Sequence, residues 1–415
     1  MGVRSTAAGS PKRLLLFAEA VTLAHLARPL ALSAALEPDD WSITLACDPR
    51  YRGFLGDFGG AYQELASIEP NAFLDALRRG APVYDAATLE RYVAADLRVI
   101  AGVQPDLIVG DFRLSLSVSA RVAQVPYLAL SNAYWSPFYN PGQWPVPQLP
   151  LTRVLPIGVA EACFRLVRPL AFALHSRPLN RVRRRRGFAS LGPDLRRAYS
   201  DADYVAYVDA PELFPISGLP PTHRFIGPVL WDPPARVPHW WDQLPKDRPL
   251  LYVTLGTSGQ ALLLPRVIEA LATCGLSIVV ATAGRATLRN LPANVHTADF
   301  LPGTLAARRA SLVICNGGSL ACYQALAAGV PIIGIAGNLD QLLNMQAIEN
   351  ADAGATIRAD RATEARIRAT ARRVLQEQRF ANAARNLAHV VDQAGAQRRF
   401  AELLTHALGR QPCGR

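Results

Sequence analysis

Cysteine is scarce and scattered in this chain. Six of 415 residues are cysteines (Cys47, Cys163, Cys274, Cys315, Cys322 and Cys413), with no CxxC and no histidine-rich partner spacing. That pattern argues against a zinc site and a disulfide framework, and it fits a reducing cytoplasm. Charged residues are also few, at 19%, against 50% hydrophobic, the composition of a folded chain rather than a disordered one. Long apolar runs are missing. The most hydrophobic stretch, LLLFAEAVTLAHLARPLALSAAL after Lys12 and Arg13, is interrupted by Glu19, His25 and Arg28, so no segment approaches the roughly 20 residues of a membrane span. A basic start before an apolar core resembles a leader peptide; the interruptions favour a buried strand over residues 14–17, then a loop and a helix.

Acidic residues are outnumbered, 33 against 44 basic, for a net charge of +11. A nucleic-acid partner would suit that balance. However, the arginines are spread through the chain apart from one run at 181–186, and no helix-turn-helix, zinc or RNP-like pattern accompanies them. No nucleic-acid partner is expected. A phosphate-bearing substrate or anionic lipid headgroups account for the charge equally well.

What is present is a repeated strand–helix alternation. A chain of 415 residues is too long for one ordinary core, so two domains are expected. After a disordered tail over residues 1–11, strands are predicted at 14–17, 41–47, 105–110, 124–130, 203–208 and 222–226, with a helix at 86–102. Residues 227–249 hold six prolines and three tryptophans and show no period, which marks a boundary. A second series follows, with strands at 250–255, 277–282, 296–298, 311–315 and 330–335 and helices at 319–328, 364–378 and 381–406. There is no sequence repeat, yet both halves alternate as doubly wound parallel sheets do. The expected architecture is α/β, two Rossmann-like domains facing across a cleft: 1–235, 236–395, and a C-terminal helix and tail at 396–415 that packs back on the first domain. Residues 156–186 alternate apolar and basic positions, as in a solvated rim helix or an amphipathic helix resting peripherally on the inner face of a membrane.

The stretch 311–344, SLVICNGGSLACYQALAAGVPIIGIAGNLDQLLN, carries the clearest chemistry. Strand, Asn316-Gly317-Gly318 turn, helix and strand make a βαβ unit, with Ser319 able to cap the helix and Gly329 to stop it. The helix N-terminus offers N–H groups and a dipole to a phosphate. Gly256-Thr257-Ser258-Gly259, after the first strand of the second half, suits phosphate contact too, or is an ordinary capped turn. Asp340-Gln341 can hold sugar hydroxyls, or simply begin a helix. In the first half, His25 and Asp111 both follow strands, at the edge where parallel sheets bind ligands. A carboxylate on one imidazole nitrogen leaves the other free to take a proton. Tyr134, Trp135, Phe138 and Trp144, in an aperiodic segment rich in proline, offer an apolar pocket wall, or belong to an ordinary proline-rich surface loop. Two other readings stand beside these. Gly317-Gly318-Ser319-Leu320-Ala321 is one substitution from a hydrolase nucleophile elbow, with Asp352 or Asp360 and His389 or His406 as partners. Asp201-Ala202-Asp203 is a D-x-D, set aside because it leads into a strand.

GTSG, ANVHTADFLP, the NGG turn, QALAAGVPIIGI and DQLLN occur in an order and spacing that resemble the inverting GT-B glycosyltransferases of the UDP-glycosyltransferase type, related to those acting on macrolides, sterols and other lipophilic acceptors. The resemblance covers nearly the whole chain and is strongest over residues 250–358. It implies sugar transfer, with inversion and without a metal or cofactor, from a UDP- or dTDP-sugar to a hydroxyl of a lipophilic or natural-product acceptor. It implies His25 as base and Asp111 as its partner, Phe300 stacking on the nucleobase, and Gly256, Thr257, Ser258, Asn316, Gly317, Gly318 and Ser319 around the diphosphate. Gln324 would meet the ribose, and Asp340 and Gln341 the sugar. The departures are Asn316 for the usual histidine, Leu320 for a glycine, Gln324 for glutamate, and one extra residue between His25 and Pro29. A non-catalytic relative or a sugar-nucleotide epimerase would share this fold.

Overall fold

The computed structural model describes residues 10–409. Most of the tail expected over 1–11 therefore lies outside the described residues, as do Cys413 and the last part of segment 396–415.

Residues 14–18, LLLFA, are fully buried and form the core of β1 (Lys12–Ala18). Around it stand β2 (Trp41–Cys47), β3 (Ala61–Glu64), β4 (Leu107–Asp111), β5 (Tyr127–Ser131), β6 (Tyr204–Tyr207) and β7 (His223–Phe225). All pair in parallel, in the order β3-β2-β1-β4-β5-β6-β7. The second sheet contains β8 (Leu250–Thr254), β9 (Ser277–Ala281), β10 (Val295–Ala298), β11 (Leu312–Cys315), β12 (Ile332–Ala336) and β13 (Gly354–Arg358). It is parallel too, in the order β10-β9-β8-β11-β12-β13. Two strands, β3 and β13, were not anticipated: β3 is short and mostly exposed, and the alternation in β13 is weak.

Crossover helices cover the sheets. In the first half these are α1 (Ala24–Ser33), α2 (Pro70–Arg79), α3 (Ala86–Val103), α4 (Leu116–Val122), α5 (Ile157–Arg185) and α6 (Leu195–Tyr199). In the second they are α7 (Leu264–Leu271), α8 (Gly303–Arg309), α9 (Ser319–Ala327), α10 (Leu339–Asn350), α11 (Glu364–Gln376), α12 (Gln378–Leu387) and α13 (Gln393–Gly409). The single helix expected over 381–406 is two. A 3-10 turn at Ala388–Val390 ends the first, and Asp392 starts the second by accepting the Gly395 N–H at 2.9 Å.

That break redirects the chain. Phe400, Leu403, Leu404 and Ala407 of α13 join the apolar core beside Leu14, Leu16 and Leu26, so the last helix rests on the first sheet. The outgoing and returning crossings touch: Leu230 N–H donates to Gln393 Oε1 at 2.7 Å, and Arg399 Nε to the Ile226 carbonyl at 2.7 Å.

Each sheet reverses its strand order once, between β1 and β4 in the first and between β8 and β11 in the second. Ligands of open parallel sheets bind outside the carboxyl ends of the strands at such reversal points. His25 and Asp111 lie at the first; Gly256-Thr257-Ser258-Gly259 and Asn316-Gly317-Gly318 lie at the second.

Candidate active site

At the first reversal point, Asp111 ends β4 with 1% of its surface exposed. Its Oδ1 lies 2.8 Å from His25 Nδ1. A carboxylate can only accept, so Nδ1 carries the proton, and in the neutral ring Nε2 is the nitrogen left with a lone pair. Phe112, the next residue, is non-glycine at φ +57°, a left-handed conformation that costs energy for a side chain of this size. The turn lays the Phe112 ring flat on the imidazole, with centroids 4.8 Å apart and planes 8° from parallel. His25 is thus clamped by a carboxylate on its edge and a ring on its face. Pro29 within α1 has no N–H for the carbonyl four residues back, that of His25.

Arg28 meets the other oxygen of Asp111, Nε to Oδ2 at 3.5 Å. Burial alone would lower its pKa; Asp111 first, then Tyr134, Asp209 and Asp340, more than reverse this and hold it above the usual value. Beneath lies a second buried ion cluster. Arg113 Nη1 pairs with Glu19 Oε2 at 2.7 Å, its Nη2 with Asp96 Oδ1 at 2.9 Å, and its guanidinium stacks on Tyr92 at 3.6 Å. Glu19, the charge that interrupts the apolar N-terminal run, is this buried partner.

At the second reversal point, Asn316 ties the two turns together. Its Nδ2 donates to Ser258 Oγ at 3.0 Å and its Oδ1 accepts from Gly318 N–H at 3.0 Å. Gly317, at φ +81°, makes the turn possible; a Cβ there would come within 2.7 Å of Met345. Ser319 is not the cap. The N-cap of α9 is Gly318, without a side-chain bond, so the first turn keeps its amides for another acceptor. Gln324 Nε2 donates to the Trp231 carbonyl at 2.9 Å and to Asp232 Oδ1 at 3.0 Å. This explains the amide there: a glutamate would set a second carboxylate against Asp232 and could not donate. Gly303 leaves the room, since a Cβ on it would lie 2.4 Å from Gln324 Oε1.

Two cavities meet between these points. The smaller, about 160 Å³, is lined by Gly256, Thr257, Ser258, Phe300, Asn316, Gly318, Ser319, Gln324 and Asp340 among others. Nine of the eleven residues expected around a nucleotide sugar thus share one cavity. Gly317 and Gln341 do not line it. Gln341 turns back to its own helix start, accepting from Gly337 and Asn338 as half of a capping box, because Asn338, not Asp340, is the N-cap of α10.

The larger cavity, about 240 Å³, is lined by His25, Asp111, Phe112 and Trp135, and by Phe73, Phe164, Phe172 and Tyr199. Of the four aromatics expected in its wall, only Trp135 is there. Tyr134 is fully buried against Phe214 in the seam between the sheets. Phe138 lies 43% exposed, edge-on to His223. Trp144 backs the wall, with Phe172 on its edge and Arg168 over its ring. The residues missed come from α2, α5, α6 and the turn after β4, which no local sequence signal joins. Arg28, Ser258 and Asp340 line both cavities, and Trp135 Nε1 donates to Asp340 Oδ1 across the cleft at 2.8 Å.

Residues 265–403 match the family model described as erythromycin biosynthesis protein CIII-like, C-terminal domain. The chain is 48% identical over 377 residues, 91% of its length and 84% of the relative's, to a PGL/p-HBAD biosynthesis rhamnosyltransferase of Mycobacterium bovis (strain BCG / Pasteur 1173P2). The chain belongs to the UDP-glycosyltransferase-like GT-B glycosyltransferases. Solved structures agree on the fold of this glycosyltransferase. The glycosyltransferase of kitacinnamycin superposes with a TM-score of 0.70 at 19% identity, covering 96% of this chain and 100% of its own. Spinosyn rhamnosyltransferase SpnG, solved with thymidine diphosphate, gives 0.65 at 18% identity, covering 94% and 100%.

The rival sequence motifs find other work in the glycosyltransferase. Asp201 is paired with Arg121 and Arg183, and Asp203 accepts from the Tyr127 N–H, so the D-x-D braces the sheet. The nominated hydrolase partners of Ser319 are likewise engaged. Asp352 pairs with Arg379, Asp360 with Arg358, His389 bonds the Asn386 carbonyl, and His406 packs edge-on to Tyr204.

Proposed function

We propose that this glycosyltransferase moves a sugar, with inversion, from a dTDP- or UDP-sugar to a hydroxyl of a lipophilic acceptor in the cytoplasm. One observation carries the reading: the His25–Asp111 pair and the glycine turns stand at the two facing reversal points, in cavities that share Arg28, Ser258 and Asp340. The acceptor occupies the larger cavity, whose aromatic wall suits an apolar molecule. His25 Nε2 takes the hydroxyl proton as the oxygen attacks the anomeric carbon, and Asp111 stabilises the imidazolium. The bond to the nucleotide diphosphate breaks on the opposite face. Its charge is met by the first turn of α9, by Ser258 and by Arg28 rather than by a metal. Asp340, oriented by Trp135, accepts from sugar hydroxyls, Gln324 faces the ribose and Phe300 the base. The thymidine diphosphate of the spinosyn enzyme supports a dTDP donor, and the PGL/p-HBAD name of the mycobacterial relative supports a lipid-like acceptor.

The test is a panel of dTDP-, UDP- and GDP-sugars scored by thermal shift and slow donor hydrolysis. One nucleotide should stabilise the protein, and Gln324→Ala should abolish that shift. No stabilisation by any of them would overturn the donor assignment.

A further inference from the structure

Helix α5 carries apolar side chains on two opposite faces over its first two thirds. Inward, Phe164, Ala171, Phe172 and His175 line the larger cavity. Outward, Val159, Leu166, Leu170 and Leu174 are exposed, Leu166 by 81% and Leu170 by 59%. Glu161, Arg165 and Arg168 lie off this outer stripe, so the exposed apolar residues form one face of the helix, and an apolar face is normally a covered one. Along the same outer stripe, at steps of three, four and seven residues, the side chains then change to Arg177, Arg181 and Arg184, all exposed. These are not the arginines with structural duties: Arg168 stacks on Trp144, and Arg183 turns inward to Asp201.

We propose that the outer face of α5 docks on the surface of an anionic lipid bilayer, so that the acceptor enters the larger cavity along this helix without passing through bulk water. Resting on the transferase reading above, this adds where the acceptor comes from. Apolar side chains that stand free of the protein surface, followed on one stripe by cations that form no ion pair among the described residues, match the acyl-chain boundary and the anionic headgroups of such a surface. A second copy of this chain is the poorer occupant, because it would bring an identical set of arginines against them.

The experiment is co-sedimentation of the full chain with phosphatidylcholine vesicles, with and without phosphatidylglycerol. It compares wild type, Leu166→Ser/Leu170→Ser, and Arg177→Glu/Arg181→Glu/Arg184→Glu. Wild type should sediment with the anionic vesicles only. The arginine variant should lose at least about fivefold in binding for each arginine replaced, and the leucine variant should also stay in the supernatant. Donor hydrolysis without vesicles should be unchanged in both, and it reports separately on the transferase reading. Wild type remaining in the supernatant, or variants sedimenting like wild type, would overturn the proposal. So would a dimer in gel filtration that the leucine variant dissolves.

Discussion

The two crevices are built by opposite means. The one at the second sheet is built on two short turns, 256–259 and 316–319, with few side chains beside them, Phe300, Gln324 and Asp340 among these. The one at the first sheet is made of side chains brought from α1, α2, α5, α6 and three strand ends, several of them charged and buried. A site built on turns depends first on chain path and then on the few side chains, such as Gln324, that line it. A side-chain site depends on each charge finding its partner.

That contrast can be broken at its strongest point first. His25→Ala should lower transfer about a thousandfold while leaving nucleotide stabilisation in thermal shift intact, since the imidazole lines the larger cavity and not the smaller. If full activity survives, the base is elsewhere.

The seam between the halves offers a pH test. Asp209 is fully buried and accepts from Ala133 N–H at 2.6 Å and Tyr323 O–H at 3.0 Å. Burial pushes its carboxyl up to about 6, against those bonds and Arg28. A folded-state pKa above the unfolded one favours the fold most at low pH. The contribution is complete below about pH 4 and is lost as pH rises through about 6, up to about 3 kcal/mol in all. Denaturant titrations at several pH values should show wild type gaining stability relative to Asp209→Asn as pH falls from 7 to 4.

On the backbone-built side, Gln324→Glu should weaken nucleotide binding by about 2 kcal/mol, roughly thirtyfold, through repulsion with Asp232. Adding Asp232→Asn should restore most of it, as read by calorimetry. The smallest effect is expected for Trp135→Phe, which keeps the aromatic wall but frees Asp340. The donor KM should rise roughly tenfold, near the lower end for a hydrogen bond to a charged group.

The same contrast explains what could be read in the sequence. A glycine turn between an apolar run and a helix is local, so Gly256, Asn316 and Gly318 were legible as one crevice, and the strand alternation made both sheets legible. His25, in the first turn of α1, and Asp111, at the end of β4, could be paired because both follow neighbouring strands of one parallel sheet. The wall of the larger cavity could not. Phe164 and Phe172 lie on a helix read only for its charge, and Phe73 carries no motif. Phe112 joins the site through a left-handed turn that its residue type does not favour. Aromatic density around 134–144 misled, because Tyr134 was drawn into the seam and Phe138 was left outside.

The return of α13 to the first sheet has a mechanical consequence. The halves are joined by two chain crossings, and these run side by side, pinned by Leu230 to Gln393 and Ile226 to Arg399. Paired links allow bending about one axis and resist twisting, so the cleft should open as a door does, keeping His25 in register with the α9 turn on each closure. A protease nick in residues 233–239 would cut one strap and leave the two fragments bound.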